Sequence, residues 1–176
     1  MFGELRIRSV KLDEAQELLA IYAPYVTDTA ITFEYDIPSL DEFANRIKMI
    51  QEKYPYLVAV QDGEIVGYAY ATAFHPRAAY SRCVEMAIYL KTDCRGQGIG
   101  RKLYEELEIR LKEKGILNLY ACIGYAPVED EYLTNASVRF HEKMGYKVKG
   151  HFTKCGYKFG RWYDMVWMEK MIGEHV

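Results

Sequence analysis

Two features of this sequence have residue types and spacing suited to chemistry: a carboxylate inside an apolar run, and a glycine-rich turn soon after it. In the run Val84 to Leu90, strand alternation puts Glu85, Ala87 and Tyr89 on one face and Met86, Ile88 and Leu90 on the other. A carboxylate in such a strand is costly to bury unless paired or neutralised. Desolvation would raise its pKa toward the range of a general base. Glu85 could equally meet water at the strand's frayed start, or pair with Arg77 or Arg82, and position alone leaves these readings open.

The turn is Cys94-Arg95-Gly96-Gln97-Gly98-Ile99-Gly100, between that strand and a helical pattern from Ile99 to Lys114. Glycines at alternate positions allow a sharp turn with uncovered N–H groups, and the next helix adds the partial positive charge of its N-terminus. Together they suit a phosphate or pyrophosphate. A Walker loop needs Gly-Lys-Ser/Thr, but Gly100 is followed by Arg101-Lys102-Leu103. A dinucleotide fingerprint would need glycine at position 101 or 103, where Arg101 and Leu103 stand. What remains is Arg95-x-x-Gly98-x-Gly100, or a glycine-rich turn without a ligand.

The elements that must position these residues follow from periodicity. Leu5 to Arg8 alternates as a short strand, and Asp13 with Gln16 predicts a capped helix carrying Leu18, Leu19, Tyr22 and Tyr25. Ser39 and Glu42 predict a capping box for a second helix striped by Leu40, Phe43, Ile47 and Ile50. Asp62-Gly63 joins the runs Tyr56 to Gln61 and Glu64 to Phe74, a hairpin signal. A strand over Cys83 to Leu90 feeds the glycine turn. Leu103, Leu107 and Leu111 stripe the third helix until Gly115 stops it. A strand over Leu117 to Ile123, a short helix over Asn135 to Met144, and strands over Tyr146 to Thr153 and Trp162 to Met171 complete the order. This predicts one α/β domain over 1–176, a mixed sheet with helices on both faces.

Composition narrows the function classes. The chain has 176 residues, 27% of them charged, with a net charge of -2. No basic excess suggests nucleic acid. No run approaches a membrane span, and the opening residues lack the apolar run of a signal peptide. Cys83, Cys94, Cys122 and Cys155 lie far apart with no CxxC, so no metal site is expected and reduced thiols in the cytoplasm suit them better. Sixteen tyrosines and seven phenylalanines could line a pocket, a subunit interface or a core.

The glycine turn resembles the pyrophosphate loop of the GNAT superfamily of acyl-CoA N-acyltransferases. Four further blocks are similar to its phosphinothricin N-acetyltransferase family. They are Thr32-Phe33-Glu34, Arg77-x-x-Tyr80 ahead of Glu85, Ser137 to Tyr146 (SVRFHEKMGY), and Gly156 to Asp164 (GYKFGRWYD). The resemblance implies the GNAT fold, a mostly antiparallel sheet with a V-shaped split between its central strands. It implies acetyl-CoA as co-substrate and acetyl transfer to the primary amine of a small molecule such as an amino-acid derivative. A homodimer is the expected assembly.

The resemblance also implies roles. Glu85 would be the base, and His141, where many superfamily members carry tyrosine, would protonate the leaving thiolate near neutral pH. The backbone of Ile88, Tyr89 and Leu90 would hold the pantetheine arm, and Arg95, Gly96, Gln97, Gly98, Ile99, Gly100 and Arg101 the pyrophosphate. Thr134 or Asn135 would contact CoA. Phe33, Arg77 and Tyr80 would bind the acceptor. Three departures stand out: Arg82 replaces a common aromatic, the family's CoA-contacting asparagine aligns with Thr134, and the acidic loop Tyr125–Leu133 is longer than the family's turn. That loop could close over the substrate, meet a second subunit, attract a cationic amine, or be a solvated face. Acetylation of protein amines and a non-catalytic acyl-CoA-binding module are the competing readings.

Overall fold

A computed structural model describes residues 3–176. The period-two runs form strands β1 (Arg6–Ser9), β2 (Tyr56–Gln61), β3 (Glu64–Ala73), β4 (Cys83–Leu90), β5 (Asn118–Tyr125), β6 (Lys147–Lys158) and β7 (Arg161–Met171). The helical patterns form α1 (Ala15–Asp28), α2 (Leu40–Gln51), α3 (Ile99–Glu113) and α4 (Ala136–Lys143). The strands make one sheet in the order β1-β2-β3-β4-β5-β7-β6, and only the β4–β5 pair is parallel. This is the mixed, mostly antiparallel α/β architecture that the sequence predicts.

Local chemistry accounts for most boundaries. Asp62 and Gly63 both take positive φ, 52° and 82°, as the tight β2–β3 turn requires. Ser39 Oγ accepts from the Glu42 N–H at 3.1 Å, but the Glu42 carboxylate turns to Arg46 at 2.8 Å, so only half of the expected capping box forms. The first helix begins differently from the predicted Asp13–Gln16 pair. A single 3-10 turn, Leu12–Glu14, precedes α1, and the Lys11 N–H donates to the Glu14 carboxylate at 2.8 Å. Arg8 draws that carboxylate into place, with contacts of 3.0 and 2.5 Å. β6 runs past its predicted end at Thr153 because a bulge between Phe152 and Gly156 absorbs the break in alternation. Buried Asp164 stitches that bulge, accepting from the Lys154 N–H at 2.8 Å and lying 2.7 Å from His151 Nε2.

Each face of the sheet has its own core. Leu103, Leu107 and Leu111 of α3 are fully buried with Leu57, Val84, Leu119 and Met168. On the other face Leu18 of α1 and Phe43 and Ile47 of α2 bury against Tyr56, Val58 and Tyr68. Burying each such side chain contributes about 1.5–3 kcal/mol. Many of the tyrosines are core: Tyr56, Tyr68 and Tyr70 stack mutually, with Tyr56 and Tyr70 centroids 4.7 Å apart.

The decisive feature is where pairing stops. β4 and β5 are in register at Cys83↔Asn118, Val84↔Leu119 and Glu85↔Tyr120, and then diverge. Cys83 O accepts from Phe74 N and Lys91 N donates to Val66 O, so odd-numbered residues of β4 turn their backbone toward β3. Met86, Ile88 and Leu90 therefore turn their N–H and C=O groups into the gap.

Candidate active site

The gap opens into a cavity of about 160 Å³ that crosses the sheet. Glu85 and Tyr70 line it from the α1–α2 face, and Tyr104, Ser137 and His141 from the α3–α4 face. Alternation along β4 puts Glu85 on the first side, and the helical position of Tyr104 next to Leu103 puts the phenol on the second.

Glu85 is half-buried at the last position where β4 pairs with β5. Desolvation alone raises its pKa; no neighbouring charge or hydrogen bond offsets it. The alternative arginine partners go elsewhere: Arg82 donates to Gly115 O at 3.3 Å, and exposed Arg77 forms no ion pair with it. The Tyr70 hydroxyl beside it is pushed up to about 12, by burial first and then by the charge on Glu85. A carboxylate of raised pKa that opens on a cavity is poised to accept a proton.

His141 is 3% exposed, and both ring nitrogens are used. Nδ1 lies 2.7 Å from the Ser137 carbonyl, which can only accept, so Nδ1 carries the proton. Nε2 then accepts from the Tyr104 hydroxyl at 2.8 Å. Burial lowers the imidazole pKa to about 4. The sequence-based expectation of an imidazole titrating near neutrality is corrected here, because a ring this deeply buried has lost the hydration that supports its charge. At neutral pH the mobile proton of the pair belongs to Tyr104, whose own pKa burial holds well above 10.

The glycine turn sits at the mouth of the gap. Gly98 caps α3 in the left-handed conformation, φ 80° and ψ 4°, and Gly96 has φ 77°. A Cβ at either would meet nothing within 4 Å, so the space before the helix N-terminus is open. At Gly100 a Cβ would lie 3.2 Å from the Phe140 ring and 3.5 Å from Ile88 Cδ1, so glycine lets α3 close on α4 and β4. Ile99 is buried, while Arg95, Gln97 and Arg101 are exposed along the turn. Open N–H groups, a helix N-terminus, the free backbone groups of Ile88 and the free N–H of Leu90 fit a pyrophosphate with an extended arm.

Other sequence-predicted site residues fall into two groups. Thr134 is exposed beside the α4 N-terminus, whereas the Asn135 side chain is committed to Ala126, accepting from its N–H at 3.0 Å and donating to its carbonyl at 2.8 Å. Arg77 and Tyr80 lie on an exposed loop outside the cavity wall, with Tyr80 edge-on to Phe74. Phe33 is likewise not in the cavity wall; it lies over Gly124 and seats on Gly156, where a Cβ would come within 2.4 Å of its ring. The Thr32–Tyr35 segment is tied to the β6–β7 hairpin by buried Lys158, which donates to Thr32 O at 2.9 Å, and by Tyr35, whose hydroxyl donates to Tyr157 O at 2.5 Å.

The acidic loop is latched to the same hairpin. Arg161 bonds Asp130 at 3.0 Å and Glu131 at 2.7 Å, Tyr163 donates to Asp130 at 2.8 Å, and Arg139 bonds Glu129 at 2.8 Å. All three carboxylates are held below their usual range: Glu129 by the Asn135 N–H and then Arg139, Asp130, against its desolvation, by the Tyr163 hydroxyl, two backbone donors and Arg161, and Glu131 by Arg161. Its charge is therefore committed within the chain, while Leu133 reaches the cavity wall.

A sheet parted between its two parallel strands, with a glycine cradle at the mouth and a carboxylate facing a phenol–imidazole pair through the opening, defines a group-transfer enzyme. Residues 7–167 match the family described as acetyltransferase (GNAT) domain, and the chain belongs to that family. It is 36% identical over 167 residues to the phosphinothricin N-acetyltransferase of Alcaligenes faecalis, covering 94% of this chain and 82% of that protein. It is 31% identical to the L-methionine sulfoximine/L-methionine sulfone acetyltransferase of Pseudomonas paraeruginosa, over 93% of this chain and 92% of the other. The crystal structure of a phosphinothricin acetyltransferase from Sinorhizobium meliloti in complex with AcCoA superposes with a TM-score of 0.88 at 34% identity, covering 96% of this chain and 89% of that one.

Proposed function

We propose that this chain is an acetyl-CoA-dependent N-acetyltransferase of small primary amines, most suited to amino-acid derivatives of the phosphinothricin and methionine sulfoximine type. One observation carries the reading: the cavity passes through the sheet, so a donor held at the glycine turn and an amine at Glu85 can meet from opposite faces. The roof of Phe33, Tyr35 and the latched acidic loop favours a compact acceptor over a polypeptide, which would need an open groove. Arg77 and Tyr80, on the exposed loop before β4, would be the residues to meet an acceptor's carboxylate.

Bound acetyl-CoA supplies an electrophilic thioester carbonyl. Ile88 and Leu90 would pair with the pantetheine amides, Gly96 to Arg101 would cradle the pyrophosphate, and Thr134 is better placed than Asn135 to meet CoA. Glu85, directly or through water, takes the proton an ammonium must lose before its nitrogen can attack. As the C–N bond forms and the C–S bond breaks, the nitrogen passes its surplus proton to the departing thiolate, directly or through water, while the Tyr104 hydroxyl would turn from His141 Nε2 to hydrogen-bond the sulfur. With so high a pKa, Tyr104 would steady the thiolate without surrendering its own proton, His141 having held the hydroxyl in place until then.

The whole of 1–176 would act as one transferase unit. Exposed Phe152 beside half-buried Met165 and Trp167, on a sheet half that α1 and α2 leave uncovered, supports a homodimer. Four unpaired thiols suit a reducing cytoplasm, and among the described residues no helix is long and apolar enough to cross a membrane. The test is release of free CoA from acetyl-CoA across a panel of phosphinothricin, methionine sulfoximine, methionine sulfone, polyamines and peptides. Turnover of the first three is expected; turnover of peptides alone would overturn the small-molecule reading.

A further inference from the structure

We infer that Tyr25 of α1 is a positioning residue for the donor site, fixing both the last gap-facing carbonyl of β4 and the arginine that opens the glycine turn. This rests on the acetyl-CoA reading of the gap. Tyr25 is 4% exposed, and its ring lies edge-on to Tyr89 with centroids 5.1 Å apart. The hydroxyl donates to Leu90 O at 2.5 Å. That carbonyl belongs to the row turned toward β5, so a side chain from a helix on one face reaches the rim of the gap. Leu90 is where the strand ends and the chain bends into the turn, so the bond pins the exit of the strand.

The same ring carries the Arg95 guanidinium, whose central carbon lies 5.1 Å from the ring centroid. Among the described residues no carboxylate lies within ion-pair distance of Arg95. A cation held by an aromatic face and left without a counter-charge keeps its N–H donors for an incoming anion. One residue thus sets two donor contacts: the hydroxyl fixes the backbone that meets the arm, and the ring fixes the cation that meets the pyrophosphate.

The two contacts separate by substitution and by donor. Tyr25→Phe removes only the hydroxyl, and Tyr25→Leu removes the hydroxyl and the ring. Acetyl-pantetheine, which lacks the pyrophosphate, is the second donor. Tyr25→Phe is expected to raise KM about 3- to 10-fold for both donors, with kcat and the amine KM held within about 2-fold. Tyr25→Leu is expected to add about 2- to 5-fold for acetyl-CoA but nothing for acetyl-pantetheine. In an Arg95→Gln background that extra loss disappears. Equal falls in kcat and rises in both substrate KM values would mark Tyr25 as merely structural and overturn the inference. So would unchanged donor KM in Tyr25→Phe. Titration of the wild-type protein with CoA in a calorimeter separates the levels: no binding at all overturns the donor-site reading, whereas tight binding that Tyr25→Phe leaves unaltered overturns this inference only.

Discussion

The Tyr104 hydroxyl donates to His141 Nε2 at 2.8 Å across the α3–α4 contact, while the other imidazole nitrogen is fixed on the Ser137 carbonyl. The pair is a donor oriented by a neutral base. Tyr104→Phe is expected to lower kcat by about 100- to 1,000-fold, the scale of losing one hydrogen-bond donor to developing charge. It also strands a buried nitrogen, at a cost of about 1–3 kcal/mol in stability. Steady-state kinetics beside denaturant unfolding would separate the two effects; an unchanged kcat would remove Tyr104 from the mechanism.

The same imidazole makes stability depend on pH. Its pKa falls from 6.5 to about 4 on folding, so the unfolded chain takes up the proton first as pH drops. His141 therefore contributes stability above pH 6.5 and loses it between about 6.5 and 4, by about 3 kcal/mol in all. Denaturant midpoints across this range should fall more steeply for wild type than for His141→Gln. Parallel curves would show that His141 is not the group that titrates.

Glu85 has the opposite sign. Desolvation raises its pKa, so the ionised form present at neutral pH opposes folding, and stability drops as pH rises through the folded pKa. Glu85→Gln is expected to cut kcat by about 100-fold or more while CoA binding stays intact. Its Tm should rise by about 2–4 °C for each kcal/mol relieved. Normal turnover by this variant would show that Glu85 is not the base.

The proposed acceptor roof can be tested from its seat on the β6–β7 hairpin. A methyl group at Gly156 would sit 2.4 Å from Phe33, forcing the half-exposed ring off its seat. Gly156→Ala should raise the amine KM several-fold and leave the acetyl-CoA KM alone. Shortening the ring in the double variant with Phe33→Leu should recover part of the stability lost.

At the cradle, Gly98 has φ 80° and open space in front of its α-carbon. Gly98→Ala strains the backbone by about 1–2 kcal/mol and puts a methyl group where a phosphate would approach. Weaker CoA binding by calorimetry, with the amine KM unchanged, is the expected result.

Much of this site was legible in the residue order. The turn at Asp62-Gly63, the cap at Ser39 and the alternation that aims Glu85 away from Met86 are local signals, and each is realised. The split between β4 and β5 has no such signal, since Ile88 and Leu90 read alike whether their backbone is paired or free. Tyr104 was hidden for a related reason: one tyrosine among sixteen, beside the Leu103 stripe, gains meaning only from a histidine 37 positions later. The pKa of His141 was hidden too, because burial comes from packing and not from neighbours in the chain. At the start of α1, Arg8 decided which carboxylate would cap the turn, a contact across six positions that capping patterns ignore.

The three-residue seam between β4 and β5 bears on the protein's own persistence in a cell. Without donor, the chain carries an edge in the middle of its sheet, with main-chain groups exposed as they are on any unpaired strand. A bound pantetheine arm would complete that seam, and a ligand at one hundred times its dissociation constant adds about 2.7 kcal/mol to the native state. Supply of the acetyl donor would then govern how long the enzyme survives proteolysis as well as how fast it works.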